Sequence, residues 1–133
     1  MSRILISAGL PLFYSKVSAG FPSPAEDYID QELDLNAYLI KHPAATYFVK
    51  AAGTAMLSVG IHPNDLLIVD RSLTPVNGAI VIAVIEGRLM VKQLRIQGDT
   101  ALLTSDYPYF SSIDITDQDL RIWGVVTTVI HKV

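Results

Sequence analysis

Residues 79–96 read AIVIAVIEGRLMVKQLRI, and the fold class turns on this stretch. Its first seven residues, Ala79–Ile85, form an apolar run of strand length, rich in β-branched side chains. Glu86-Gly87 supplies a two-residue turn, and Arg88–Ile96 returns as the second strand of a β-hairpin. Successive side chains of that strand face opposite sides of the sheet. Lys92 therefore shares a face with Met90, Leu94 and Ile96, while Gln93 and Arg95 share the other. A lysine on the apolar parity of its strand either snorkels to water or loses its hydration. Desolvation lowers a lysine pKa by up to about 3–5 units from a reference near 10.4, which makes the amine a competent general base. Parity alone leaves both readings open.

The pattern continues on both sides of the hairpin. Thr46–Lys50, Leu66–Asp70, Ala101–Thr104, Leu120–Ile122 and Val125–Ile130 read as further short strands. Asp34 is placed to cap a short helix. Gly20-Phe21-Pro22-Ser23-Pro24 is an extended linker, because each proline disfavours helix at the residue before it. The nineteen residues ahead of Gly20 are too few to fold unaided and leave no room there for a helix-turn-helix unit. The expected organisation is an N-terminal arm over residues 1–24 and one compact, mostly β domain with short helices over 25–133.

Composition sets outer limits. The 133 residues suit one domain; half are hydrophobic and 17% are charged, a balance that buries a core. A net charge of −3 with no run of Lys or Arg argues against direct, sequence-specific DNA binding. With no cysteine and three scattered histidines, His42, His62 and His131, no metal or cofactor site is expected. Arg3, the apolar stretch Ile4–Tyr14 and the small residues Val17-Ser18-Ala19 faintly resemble a secretion signal. Gly9, Pro11 and Lys16 spoil that pattern. No stretch approaches the roughly 18 apolar residues of a membrane helix, so a cytoplasmic protein with no membrane partner is expected.

Gly53-Thr54-Ala55-Met56 reads as a turn leaving a strand and entering a helix, where backbone N–H groups could stabilise an oxyanion. Its tip carries no nucleophile. The nearest hydroxyls are Thr54 and Ser58. Asp65 and Asp70 flank an apolar strand as turn residues, and Trp123 is read as core or as a dimer contact.

Several blocks in register give a more specific reading. Residues 20–25 (GFPSPA), 42–51 (HPAATYFVKA), 65–70 (DLLIVD) and 123–126 (WGVV) resemble the UmuD branch of LexA-type self-cleaving proteins over nearly the whole chain. In that family a Gly-x-Ser-Met turn carries the nucleophile and a downstream Val-Lys-x-Leu carries its base. Val91-Lys92-Gln93-Leu94 matches the second motif. Residues 53–56 match the first except at position 55, where this chain has alanine.

The resemblance implies a LexA-like Ser-Lys protease fold that cleaves its own flexible arm between Ala19 and Gly20. It assigns Lys92 as general base, position 55 as the nucleophile's place, and backbone N–H groups at Thr54 and Ala55 as oxyanion donors. It further implies a homodimer, stimulation by the RecA filament on single-stranded DNA, and association with the catalytic subunit of an error-prone polymerase. With Ala55 the chain is expected not to cut. The serine was either removed deliberately or lost in a natural, non-cleaving dimeric interaction module. A signal-peptidase relative using the same Ser-Lys chemistry is a further alternative, opposed by the missing membrane segment. The arm could reach its own cleft or a partner's.

Overall fold

The computed structural model describes residues 10–13, 29–116 and 121–133. The chain forms two compact units, residues 1–41 and 42–133. In the first, strand β1 (Leu10–Phe13) pairs antiparallel with β2 (Ile29–Leu33), with Leu10 opposite Leu33. Helix α1 (Leu35–Leu39) follows at once. Asp34 caps it as expected, its carboxylate accepting from the backbone N–H groups of Asn36 and Ala37 at 3.1 and 3.4 Å.

The second unit is one antiparallel sheet. Its strands are β3 (Thr46–Lys50), β4 (Leu66–Asp70), β5 (Ile80–Ile85), β6 (Arg88–Gln97), β7 (Thr100–Ser105), β8 (Ser111–Asp114) and β9 (Arg121–Ile130). They lie in the order β3-β4-β9-β5-β6-β7-β8. The expected mostly β architecture with short helices is the one observed. The β5–β6 hairpin closes on Glu86 and Gly87 at φ 52° and 75°, the left-handed pair that lets a two-residue loop follow the strand twist.

Alternation along β5 and β9 builds two apolar clusters. Ile82, Leu67 and Val69 join Ala51, Met56 and Ile61 in one, with Trp123, Val126 and Val129 packed against it. Val81, Ala83, Leu94, Leu103 and Ile115 form the other, flanked by Ile122 and Val125. Neighbouring residues of β5 thus serve different clusters, so this strand reads as an unbroken apolar run.

One expectation needs correction. Leu120–Ile122 and Val125–Ile130 are not separate strands: β9 runs without interruption from Arg121 to Ile130, and Leu120 lies outside the described residues. Gly124 looks like a break but serves close approach. A Cβ there would stand 2.5 Å from Val69 Cγ1, so only glycine lets β9 lie against β4. The strand absorbs irregularities as register shifts opposite Ile68/Val69 and Ile82/Ala83. Among the described residues no helix is long and apolar enough to cross a membrane.

Candidate active site

The segment after β3 doubles back on itself and presents Ala55. Ala51 N–H donates to Asp65 O and Asn64 N–H to Ala51 O, both at 2.8 Å, prolonging the β3–β4 pairing by one step. Gly53 then takes φ 77°, which favours glycine and reverses the chain. Leu57 N–H donates to Thr54 O at 3.1 Å, and a single 3₁₀ turn, Leu57–Val59, ends on Gly60 at φ 86°. Met56 (5% exposed) and Ile61 plug into the first cluster and anchor the turn. Ala55, immediately before Met56, is left exposed at the tip.

Ala55 lines a cavity of about 230 Å³ with Val49, Met56, Ile82, Val91 and Lys92. The structure thus brings two of the expected site residues, Ala55 and Lys92, to one cavity. Thr54 is exposed and does not line it, and Ser58, the other nearby hydroxyl, donates to Asp106. Ala19 and Gly20, the expected scissile pair, lie outside the described residues, as does the linker Phe21–Pro24.

Lys92 is buried, with 8% of its surface exposed. The parity argument holds for Leu94, which is buried beside it, but not for Met90 and Ile96, which are 39% and 42% exposed. Those two sit towards the ends of a ten-residue strand whose burial is confined to its middle. The amine donates a 2.6 Å hydrogen bond to Ser105 Oγ, itself buried. Among the described residues no carboxylate pairs with the amine. Burial thus leaves the amine with a hydroxyl as its hydrogen-bond partner, beside the cavity that Ala55 lines.

Sequence reasoning missed Ser105. The signal was present, because Gly98-Asp99 closes a second tight hairpin whose register pairs Gln93 with Thr104. One further step sets Ser105 opposite Lys92. Reading that turn as a register marker would have found the contact.

The three histidines are not all scattered. His42 Nδ1 lies 2.5 Å from Asp70 Oδ2. The Ser72 hydroxyl, then His42, hold the Asp70 carboxyl down at about 2, against the upward push of burial. His62 and His131 converge instead on Asp65, with their rings 4.4 Å apart. Burial pushes the Asp65 carboxyl up, but the backbone N–H of His62, the hydrogen bond with His131 and the charges of both histidines leave it below the ordinary range. Asp65 immediately precedes β4, but Asp70 is its last residue rather than a turn residue; their carboxylates accept the backbone N–H groups of His62 and Ser72, and both are buried. Trp123 is half-buried against the first cluster, with the Tyr47 ring centroid at 5.2 Å and the Arg71 guanidinium 4.7 Å from its ring.

Comparison with known proteins gives the family. Residues 11–127 match the Peptidase S24-like family. The protein SamA of Salmonella typhimurium is 46% identical over 127 residues, covering 96% of this chain and 89% of its own length. ImpA of Escherichia coli is 49% identical over 123 residues, 92% of this chain and 83% of its own. MucA of Escherichia coli is 43% identical over 120 residues, 89% and 82% of the two chains. Matches of this extent and identity make the chain a member of the Peptidase S24-like family of self-cleaving serine peptidases, on its UmuD-like branch of SOS mutagenesis proteins.

Proposed function

We propose that the chain is the uncleaved form of an SOS accessory subunit of an error-prone, translesion DNA polymerase. In its active form, Lys92 takes the proton from a serine at position 55, and the serine oxygen attacks the Ala19 carbonyl. Backbone N–H groups at Thr54 and position 55 hold the oxyanion. The peptide bond to Gly20 then breaks, its nitrogen leaves with the proton from Lys92, and water releases residues 1–19 from the acyl-enzyme. Tethering of the arm supplies the effective concentration. The RecA filament on single-stranded DNA stimulates the step, and the shortened homodimer associates with the polymerase's catalytic subunit in the cytoplasm. Loss of such a nucleophile costs on the order of 10⁶ in rate, so with Ala55 the arm stays attached.

The observation that carries this reading is the shared cavity of Ala55 and the buried Lys92. Its test is capture by the catalytic subunit of an error-prone polymerase. Residues 20–133 should be retained and the full chain retained more weakly. Equal retention of both, or of neither, contradicts it. The second reading, a natural non-cleaving dimeric interaction module, draws on Ala55 itself. It expects Ala55→Ser to remain full-length while the chain still dimerises.

A further inference from the structure

We propose that His62, Asp65 and His131 form a binding site for one divalent first-row transition ion of the zinc type. The three come from two places in the chain. Asp65 immediately precedes β4, and His131 immediately follows β9. The β4–β9 register, which sets Leu66 opposite Ile130, brings those two together at its next step. His62 is folded over the same carboxylate by a short turn. Asp65 N–H donates to His62 O at 3.1 Å, and His62 N–H donates to Asp65 Oδ2 at 2.8 Å.

Each residue offers one ligand atom, and these atoms all lie within 4.8 Å of one another. His62 Nδ1 is 3.6 Å from Asp65 Oδ2, and His131 Nδ1 is 2.6 Å from Asp65 Oδ1. Metal–ligand bonds of about 2.0–2.2 Å at tetrahedral angles set ligand atoms roughly 3.3–3.5 Å apart. The first spacing is already close to that. The second, measured to the carboxylate's other oxygen, opens by less than about 1 Å when an ion enters. Asp65 is 3% exposed, whereas both imidazoles are about half exposed, at side-chain values of 47% and 44%. The carboxylate is therefore fixed in place while the nitrogen side stays open to an entering ion.

The donor set selects the ion class. Two imidazoles and one carboxylate suit zinc, cobalt or nickel, while calcium requires six to eight oxygens and magnesium a near-octahedral oxygen shell. Lys50 and Lys132 line the adjoining cavity with Asp65 and His131, which further disfavours a hard cation held by charge alone. Three protein ligands leave a fourth position to solvent. An ion here would tie the end of β9 to the loop whose Asn64 and Asp65 hydrogen-bond Ala51, beneath the Ala55 turn.

The test uses the untagged full chain, stripped with chelator and titrated with zinc chloride by calorimetry and with cobalt(II) by visible absorption. Expected are one equivalent bound per chain, a cobalt spectrum of tetrahedral intensity, and a melting temperature raised by zinc. His62→Ala and His131→Ala should each weaken binding about tenfold or more, while His42→Ala, which removes the remaining histidine, should not. Absence of binding overturns the proposal. So does equal binding by the His62→Ala/His131→Ala double variant, or binding that is lost with His42 instead.

Discussion

A buried lysine amine has few ways to be satisfied, and here it has taken a hydroxyl. The 2.6 Å bond from Lys92 to Ser105 fixes where the amine points, so Ser105 acts as a positioning residue for the proposed base. In an Ala55→Ser background, Ser105→Ala should slow self-cleavage about tenfold or more and displace its pH–rate profile, because a misplaced base loses both geometry and environment. Ser105→Thr, which keeps the hydroxyl, should recover most of the rate. An unchanged rate and profile in Ser105→Ala would reduce the contact to packing. Asp70 makes a different prediction. Its carboxyl is held at about 2 by the Ser72 hydroxyl and His42, below its ordinary value of 3.8. Because the folded value lies below the unfolded one, the stabilisation is fully present above about pH 4 and is lost as pH falls through about 2. Asp70→Asn should therefore lower the melting temperature at about pH 5, and the gap from the parent should close on acidification across that window. A gap that does not change with pH would show that the charge is not what Asp70 contributes.

At the scale of elements, legibility followed locality. The hairpin over residues 79–96 was readable because its alternation and its turn are both written within a few residues. Strand parity, also local, set Lys92 on the face of Leu94 but left burial and snorkelling both open. Strands β2 and β8 were not readable, as Asp30, Gln31 and Glu32 in one and Ser111, Ser112 and Asp114 in the other lack an apolar signal. Their strand state comes from the neighbours they pair with. Ser105 and the His62–His131 pairing depend on register, which a single strand does not reveal. Gly124 shows the same limit: its local message is a break, yet its reason stands across the sheet at Val69. Gly124→Ala should thus cost about 1–3 kcal/mol by overpacking against a fully buried valine, read from the midpoint of denaturant unfolding. A midpoint equal to the parent's would mean that β4 and β9 separate freely there.

For the whole molecule, the arm is the part on which the proposed activity turns. Residues 1–24 carry Ile4, Leu5, Ile6, Leu10, Leu12, Phe13 and Tyr14, more apolar surface than is comfortable in water. Burying large side chains at roughly 1.5–3 kcal/mol each offsets the ordering of only a few residues, so docking on a surface of this chain or of a second copy is expected. Two-fold pairing is the commonest closed assembly, and the proposal is a homodimer supported by the arm. Light scattering should find the chain lacking residues 1–19 less dimeric than the full chain at equal concentration. Equal dimerisation would remove the arm from the interface. The central claim, that position 55 and Lys92 form a Ser-Lys dyad acting on the arm, has a more direct test in intact mass. Ala55→Ser should lose residues 1–19 on incubation, faster at alkaline pH and with RecA filament, while Ala55→Ser/Lys92→Met stays whole. A full-length Ala55→Ser under all these conditions, or equal cleavage in both variants, would contradict the account.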